Sequence, residues 1–413
     1  MNASYIPPAR SEKSRRGVTV HLLRCLRWTA PFLAALVVLC TGFTPAPAPA
    51  TTMPIPPSKL GTAADYHGFI NGRFLILNMH GGFMHRAIDP VQENIRYAAW
   101  MNAGAIRIFA TDSTQTSLED ANWLGNRIAD MAPALRANDL KLIVALVNNH
   151  EEVPKEQSSS VGMKDGFWQH LLPFFQGNWR GPYLDFSRRL ISTVINRGAR
   201  DVILAWEYGN ELNTQDDPPL VISFMEQMHT EIRQLDTVTP IWPGTMGSHH
   251  LNRAYDYTVA RRLYCEGPID AYTLHTYDWV DAYHPGDMPI DRDLNYVINY
   301  PCENGRKLPV VVEELGTSRE LPGRYTADDE NGRIEQEINE LRMVLSYDQV
   351  VGVGAWSAES PNTPIFRHDN RRGLTSFGPN RDGSGSCYPG AGEGMGGARC
   401  RMEQILRNLP SRP

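Results

Sequence analysis

Eight short apolar runs alternate with eight stretches of helical periodicity along this chain, and this alternation constrains its fold more than any other feature. The apolar runs are continuous and rich in Val, Ile and Leu, which is typical of parallel strands buried on both faces. The predicted strands are residues 74–77, 105–109, 140–147, 202–206, 240–243, 269–274, 309–312 and 351–356. The predicted helices are residues 89–104, 117–139, 184–197, 218–235, 252–264, 291–300, 331–347 and 402–409.

Eight strand–helix units are the number found in a (β/α)8 TIM barrel, so we predict this α/β fold as a single domain. Residues 51–413 divide into about 45 residues per unit, which is generous for the fold and leaves long loops at its catalytic face. A doubly wound open sheet is the alternative, but no Gly-x-Gly-x-x-Gly turn follows the first strand. The second helix opens with Ser-Leu-Glu-Asp at residues 117–120, a capping-box pattern.

The N-terminal segment has the plan of a secretory signal peptide. A basic stretch is followed by an apolar run at residues 28–43 and by alternating Pro and Ala up to Ala50. We predict a signal peptide over 1–50, a linker over 51–69 and the barrel domain over 70–413, with secretion to the periplasm or the extracellular space. The apolar run is shorter than the roughly 20 residues of a spanning helix, so no stable membrane association is expected after cleavage. A retained N-terminal anchor is the alternative.

The charge of the chain is distributed unevenly. The formal net charge is -6, but residues 1–50 are basic, with six Arg or Lys and one acid. Residues 51–413 therefore hold 34 basic and 45 acidic residues. This body lacks the basic excess of a nucleic-acid-binding protein, so nucleic acid is not an expected partner. We expect the protein to act as a monomer.

Four cysteines lie beyond residue 50, namely Cys265, Cys302, Cys387 and Cys400. An even number in an exported chain indicates two disulfides. Cys387 and Cys400 enclose a Gly-rich segment, so we expect them to pair and to leave Cys265 with Cys302. Four cysteines allow three connectivities, and spacing does not choose among them.

Polar residues stand where the predicted strands end, which is the catalytic face of such a barrel. Glu211 follows the fourth strand and Glu314 follows the seventh. These strands face each other across the mouth of a closed barrel, which would bring the two carboxyl groups to about 5–5.5 Å. At that separation one carboxylate attacks an anomeric carbon while the other carboxyl protonates the leaving oxygen. Further polar or aromatic strand-end residues are Asn78, Arg107, Asn148, Asn149, Asn210, His275, Tyr277, Glu313 and Trp356.

In this order the motifs resemble those of the clan A glycoside hydrolases, in particular family five, which holds cellulases and β-mannanases. The resemblance covers about residues 70–360. The segments that carry it best are Asn148-Asn149, Trp206-Glu207, Asn210-Glu211 and Glu313-Glu314. It implies a hydrolase that acts on β-mannan or β-glucan with retention, with Glu211 as general acid/base and Glu314 as nucleophile. It implies no cofactor and no metal.

The resemblance also gives roles to the other strand-end residues. Asn210 would hydrogen-bond the sugar 2-hydroxyl, and Trp356 would form the stacking floor of a sugar subsite. Arg107 and Tyr277 would keep the nucleophile ionised. The remaining substrate-binding positions are Asn149 and His275.

Some alternatives stay open. Glu313 is the alternative nucleophile, because strand alternation is expected to turn it and Glu314 to opposite sides. Glu207 is interpreted as a structural acid of the barrel. A metal-dependent barrel hydrolase is a second hypothesis, although its candidate ligands match no metal motif: His80, His85, His249 and His250. The third is a non-catalytic carbohydrate-binding or cell-envelope protein. The family pattern is broken at His150, Leu212 and Leu315, which leaves the substrate open.

Overall fold

The computed structural model describes most of the predicted barrel domain. The described residues are 73–79, 83, 87–111, 117–148, 172–212, 218–247, 257–277, 290–316, 330–356, 360–362, 386–390 and 398–409. The predicted signal peptide and linker lie outside these ranges. Among the described helices, none has the length and apolar character needed to cross a membrane.

Eight parallel strands form one sheet, which confirms the predicted strand number. They are β1 (Phe74–Asn78), β2 (Ala105–Phe109), β3 (Lys141–Ala145), β4 (Ile203–Glu207), β5 (Ile241–Trp242), β6 (Tyr272–Tyr277), β7 (Val310–Gly316) and β8 (Val350–Ala355). Neighbours in the sheet follow the chain order, and β1 pairs with β8. The sheet therefore curls round on itself.

The circle is completed between β5 and β6 by single hydrogen bonds. The N–H of Asp270 donates to the carbonyl of Ile241 at 2.8 Å, and the N–H of Thr245 donates to the Thr273 hydroxyl at 2.9 Å. Together with the ladder of the other strands, these contacts give the predicted (β/α)8 barrel, nearly closed.

A long helix follows each strand in the described part of the chain. The helices are α1 (Ile88–Trp100), α2 (Leu118–Ala137), α3 (Pro182–Asn196), α4 (Pro218–Leu235), α5 (Tyr257–Glu266), α6 (Ile290–Asn299), α7 (Glu330–Leu345) and α8 (Ala398–Arg407). A single helical turn, Leu172–Phe175, precedes α3 and was not predicted. The capping box of α2 is confirmed, since the Ser117 hydroxyl accepts from the Asp120 N–H at 3.1 Å and the Asp120 carboxylate accepts from the Ser117 N–H at 2.9 Å.

The inside of the barrel changes from apolar to charged along the strand direction. Its lower part is filled by Phe74, Ile76, Ala105, Ile143, Leu204, Ala205, Trp242, Ala271 and Val311. Successive side chains of a strand alternate between its two faces, so the residues two positions further on also point inwards. On β1, β2 and β7 these are Asn78, Arg107 and Glu313, all buried. We call the apolar residues of the lower part the apolar plug. A polar layer therefore lies above this plug, toward the ends of the strands.

Both expected disulfides are present, and their pairing is confirmed. Cys265 pairs with Cys302 and Cys387 pairs with Cys400, with Cα–Cα distances of 5.5 and 4.7 Å. Both distances lie in the ordinary range for a disulfide. The first bridge ties the end of α5 to the segment before β7, on the face of the barrel where the strands begin.

Candidate active site

Arg107 is the centre of the polar layer inside the barrel. Its side chain is fully buried and donates six hydrogen bonds to four residues around the barrel. Nε and Nη2 donate to the carboxyl group of Glu207 on β4 at 2.9 and 2.8 Å. Nη1 donates to Glu314 Oε1 on β7 at 2.5 Å. The planar guanidinium thus links two strands and fixes the orientation of both carboxyl groups.

Three asparagines complete the contacts around this guanidinium. Asn210 Oδ1 accepts from Nη2 at 2.9 Å, and Asn78 Oδ1 accepts from Nη1 at 3.2 Å. The Asn210 amide in turn donates to Asn148 Oδ1 at 3.0 Å. Each amide orientation is therefore set by at least one partner. Among the described residues, the second N–H of the Asn210 amide has no acceptor, so it is available to donate a hydrogen bond.

A bulge in β7 turns both of its glutamates inwards. In the pairing with β6, Leu274 lies opposite Val312 and His275 lies opposite Glu314, which leaves Glu313 as the extra residue. His275 lies 3.5 Å from both carboxyl groups, through Nε2 to Glu313 and through Nδ1 to Glu314. The expectation that alternation separates Glu313 from Glu314 is therefore wrong, because the bulge interrupts the alternation.

Gly354 on β8 makes room for this bulge. A Cβ atom at this position would lie 1.6 Å from the carbonyl oxygen of Glu313. The same carbonyl accepts a hydrogen bond from the Asn78 amide at 2.7 Å. The bulge is thus held between a glycine on one neighbouring strand and an amide from β1.

His275 connects the two candidate catalytic glutamates. Its Nδ1 lies 2.8 Å from Glu211 Oε1 and 3.5 Å from Glu314 Oε1, and the ring is fully buried. Burial alone lowers the pKa of an imidazole, but the charge of Glu314 and the hydrogen bonds to Glu211 and Glu313 outweigh it and raise the pKa of His275 to about 10. His275 is therefore a cation at neutral pH and supplies a second positive charge to the layer.

Glu211 is held in an uncommon backbone conformation. Its φ is 56°, in the left-handed region, and its N–H donates to the carbonyl of Gly244 at 2.7 Å. A residue with a Cβ is strained there, at a cost of about 1–2 kcal/mol. Such strain is concentrated at functional sites. In this backbone conformation the Glu211 carboxyl group points toward His275.

Glu207 and Glu313 form the lower part of the layer, and both are fully buried. Burial raises the pKa of Glu207 well above its usual range, and the charge of Glu313 adds to this against the opposing charge of Arg107. Burial also acts on Glu313, but the charge of Arg107 and hydrogen bonds with His275 and Glu207 hold its pKa below the usual value. The pKa of Glu207 is therefore raised, whereas that of Glu313 is lowered.

Trp356 lies above the charged layer, in a small apolar cluster with Phe109, Ala145 and Met246. Its ring centroid is 5.8 Å from that of Phe109, and the Phe109 centroid lies 5.1 Å from Cζ of the Arg107 guanidinium. Only 6% of Trp356 is exposed. The two aromatic rings therefore pack together near the strand ends, on the side of Arg107.

Most of the residues proposed from sequence are brought together by the fold. Arg107, Asn210, Glu211, His275 and Glu314 form one network of contacts. Tyr277 is the last residue of β6, opposite Gly316, but its side chain lies outside the described part of the structure, and Asn149 lies outside it altogether. The contacts of Glu207 with Arg107 fit its interpretation as a structural acid of the barrel. Sequence analysis assigned no role to Asn78 or Asn148, although their strand-end position was a signal that pointed to both.

The spacing of ligand atoms in Glu211, His275 and Glu314 would also suit a metal ion, since they lie within 4.8 Å of one another. Two features oppose metal binding. A guanidinium nitrogen of Arg107 already lies 2.5 Å from Glu314, and a metal would have to displace the proton that the raised pKa of His275 holds on its ring. This donor set favours proton transfer. The four histidines proposed as alternative ligands lie outside the described residues.

Fold and site together define a (β/α)8 barrel protein with a buried, cation-bridged carboxyl centre at the ends of its strands. No protein-family model matches the sequence, and no curated protein matches it either. The fold is similar to that of an endo-β-1,4-mannanase from Thermotoga petrophila, with 16% identity, coverage of 82% of this chain and 77% of that chain, and a TM-score of 0.57. It is also similar to a hyperthermostable endo-1,4-β-D-mannanase from Thermotoga petrophila RKU-1, with 15% identity, coverage of 81% and 99%, and a TM-score of 0.53.

Proposed function

We propose that this protein is a secreted retaining β-glycoside hydrolase. The observation that carries the proposal is the closeness of Glu211 and Glu314, whose carboxylate oxygens lie within 4.8 Å of each other and share His275 as a neighbour. Retaining glycosidases hold two carboxyl groups about 5–5.5 Å apart, whereas inverting enzymes need a wider gap for water. The close spacing therefore favours retention.

Of the two glutamates on β7, Glu314 is the better candidate for the nucleophile. It lies within reach of Glu211, and Nη1 of Arg107 orients its Oε1. Glu313 precedes it on the strand and is fully enclosed. A nucleophile must reach the sugar, so the residue nearer the strand end is favoured.

The reaction follows in two steps. Glu314 attacks the anomeric carbon while Glu211 gives its proton to the departing glycosidic oxygen, which leaves as an alcohol and forms a glycosyl ester on Glu314. Glu211, now a carboxylate, takes a proton from water as the water attacks the same carbon, and the Glu314 carboxylate is released. His275 and Arg107 remain as fixed positive charges that stabilise the carboxylate formed in each step.

The proposed substrate is a neutral β-mannan or β-glucan. The sequence motifs resemble those of β-mannanases and cellulases, and both compared structures are endo-mannanases. Trp356, directly after β8, is the residue that we propose to stack on a sugar ring, and it packs against Phe109 at a centroid distance of 5.8 Å. The acidic body of the protein suits a neutral glycan better than a polyanion. The two disulfides support export to an oxidising compartment.

The test is a screen of the purified protein on mannans, glucans and aryl β-glycosides, with the anomer of the first product followed by NMR. We expect hydrolysis with retention, and a loss of at least about 10⁴-fold in kcat/KM in Glu211→Ala and Glu314→Ala. Glu226→Gln, at an exposed position of α4, serves as the matched control. Parent-like turnover by both alanine variants would refute the assignment.

Two further outcomes correspond to the alternative functions. Saccharide binding without turnover by the parent protein would favour a non-catalytic carbohydrate-binding protein. Loss of hydrolysis after treatment with a chelator, with recovery when a divalent metal is added, would favour a metal-dependent hydrolase. Full activity after chelation is the result we expect.

A further inference from the structure

Asn148 is a buried polar residue of the strand-end region that the proposed reaction does not use. It lies opposite Asn210 in a parallel bridge that continues the register of β3 and β4 beyond their last pair, Ala145 with Glu207. The two backbones are hydrogen-bonded up to this point, because the N–H of Asn210 donates to the carbonyl of Val147 at 2.7 Å. The sheet itself therefore places the two asparagines side by side.

The contacts of the Asn210 amide can run in one direction only. A guanidinium has N–H donors and no acceptor, so the Asn210 atom that lies 2.9 Å from Arg107 Nη2 must be its oxygen, Oδ1. The nitrogen Nδ2 then faces Asn148 at 3.0 Å, and it needs an acceptor there. Asn148 supplies this acceptor with its Oδ1. The amide plane of Asn210 is thus fixed by a donor at one end and by an acceptor at the other.

This arrangement sets the direction of the second N–H of Asn210. The two N–H bonds of a primary amide diverge within the amide plane, so a bond from one of them to Asn148 determines where the other points. Retaining glycosidases strengthen their hydrogen bonds to the sugar 2-hydroxyl in the transition state. The family motif to which Asn210-Glu211 is similar assigns this contact to Asn210. Rotation of the amide about its side-chain bond would turn the donor away from the hydroxyl.

Asn148 is itself restrained by Thr111, which lies two residues after β2. The Thr111 hydroxyl accepts from the backbone N–H of Asn148 at 3.0 Å, and both residues are buried. The asparagine is therefore tied to the ends of both strands that neighbour β3. A donor that must meet a transition state needs such support, because its orientation has to exist before the sugar binds.

We propose that Asn148 is a positioning residue that holds the Asn210 amide so that its second N–H donates to the 2-hydroxyl of the sugar at the scissile bond. The inference deepens the proposed function and rests on it. Asn148 does not touch the sugar and acts through Asn210. A residue that only supported the fold would affect all substrates alike, whereas Asn148 should matter only to substrates with a 2-hydroxyl.

The test compares two substrates. The first is 4-nitrophenyl β-mannobioside or β-cellobioside, whichever the parent hydrolyses faster, and the second is its analogue without the 2-hydroxyl on the sugar at the scissile bond. Asn148→Leu removes the acceptor oxygen at similar size. On the first substrate we expect kcat to fall at least about tenfold and KM to change less than about threefold, since the contact is made mainly in the transition state. On the 2-deoxy substrate both constants should stay within about twofold of the parent values. An equal loss on the two substrates would overturn the proposal.

Two further variants separate the acceptor oxygen from a general effect on the fold. Asn148→Asp keeps an oxygen at the same position, so it should keep the parent ratio of kcat/KM between the two substrates, whatever its charge does to each rate. Asn94→Leu is the matched control, because Asn94 is a buried asparagine of α1 whose Oδ1 accepts from the Ser360 N–H at 2.9 Å. It should also keep the parent ratio. A ratio that falls in either variant as far as in Asn148→Leu contradicts the proposal.

A double-variant cycle tests whether Asn148 acts through Asn210. Asn210→Ala removes the donor, so addition of Asn148→Leu to Asn210→Ala should lower kcat on the first substrate by no more than about twofold. Losses that multiply would show that Asn148 acts independently of Asn210, which the proposal does not allow.

The inference and the proposed function can fail separately, because the Asn210 amide can also be followed without substrate. In protein labelled with ¹⁵N-asparagine, the Nδ2 signals of Asn210 are identified by their loss in Asn210→Ala. We expect solvent exchange of these protons to be slow in the parent and in Asn148→Asp and faster in Asn148→Leu. This result in a protein that hydrolyses no glycan would remove the proposed function and leave the restraint of Asn210 by Asn148 standing. Retaining hydrolysis with the same exchange in all three proteins would do the opposite. Should Asn148→Leu fail to fold, Asn148→Ala, which removes the same oxygen, takes its place in every comparison.

Discussion

His275 is where the charges of the candidate site meet. Its ring faces two carboxyl groups of β7 and one from the segment after β4, and it is buried away from water. Its pKa is raised to about 10 because the charge of Glu314 and hydrogen bonds to Glu211 and Glu313 outweigh the effect of burial. A histidine that stays charged far above its usual range links the integrity of the site to pH.

This linkage predicts a pH-dependent contribution to stability. The pKa of His275 is raised on folding, so its stabilising effect is complete below about pH 6.5 and is lost as the pH rises toward about 10. We expect the difference in unfolding free energy between the parent and His275→Asn to fall with pH, with a slope of up to about 1.4 kcal/mol per pH unit. Urea denaturation at intervals from about pH 6 to about pH 10 measures it.

A difference that does not change across this range would contradict the prediction. If His275→Asn does not fold, the imidazole can be followed directly by NMR in the parent. A ring that loses its proton near neutral pH would then be the contrary result.

Glu211 has two features that lower stability. With φ at 56°, its backbone is strained by about 1–2 kcal/mol, and its side chain is buried among other ionisable groups. Packing of the surrounding loops must offset this cost. The hydrogen bond from its N–H to the carbonyl of Gly244 is one of the contacts that do so.

The segments that follow β4 and β5 meet at two glycines. A Cβ on Gly244 would lie 2.1 Å from the carbonyl oxygen of Gly209, and a Cβ on Gly209 would lie 2.7 Å from Val147. Gly244 also has a φ of 64°, which favours glycine. The close approach of these two segments is what brings the Gly244 carbonyl to the N–H of Glu211.

Gly244→Ala is therefore expected to damage both stability and activity. Gly198→Ala is the matched control, since Gly198 has a similar φ of 69° but no atom within 4 Å of the added Cβ. We expect Gly198→Ala to cost about 1 kcal/mol and to keep activity within a few-fold. Gly244→Ala should cost about 1–3 kcal/mol more and lower kcat/KM at least about tenfold, because Gly209 and Glu211 must move. Urea denaturation and steady-state kinetics measure the two effects, and similar results for both variants would exclude the crowding argument.

Most strands could be predicted because both of their faces are buried. Parallel strands covered by helices outside and by the apolar plug inside are largely apolar, so β8 stands out as a continuous run and β3 does so from its second residue. The strand β7 was predicted to end at Val312, but it continues to Gly316. Its last part is charged because it faces the polar layer, which hides the strand from a hydrophobicity pattern.

The candidate site was predictable only in part. Strand-end position singled out Glu211, Glu314 and Arg107, since the carboxyl ends of all strands meet at one face. The inward direction of both Glu313 and Glu314 was not predictable, because it depends on a bulge accommodated by Gly354 on another strand. The contact between Arg107 and Glu207 likewise joins residues distant in sequence. Local patterns carry no information on such pairings.

The charged groups of the candidate site and the Cys265–Cys302 bridge lie at opposite ends of the barrel. All charged groups of the candidate site lie in the layer near the strand ends, whereas the Cys265–Cys302 bridge lies where β6 and β7 begin. In barrels of this kind the loops after the strands carry the active site and the opposite face supports the fold. Changes at the bridge should therefore affect the unfolding equilibrium and leave the geometry of the carboxyl groups intact.

Removal of this bridge tests that separation on the molecule as a whole. The bridge closes a loop with a sequence separation of 37, and restriction of the unfolded chain by a loop of this size corresponds to about 4 kcal/mol. We expect the Cys265→Ser/Cys302→Ser double variant to lose about 2–4 kcal/mol of unfolding free energy, measured by urea denaturation, and to retain kcat within about twofold at 25 °C. A fall in kcat at a temperature where the variant is fully folded would show that the two faces are coupled. Unchanged stability would show that the bridge restrains a part of the unfolded chain that is already compact.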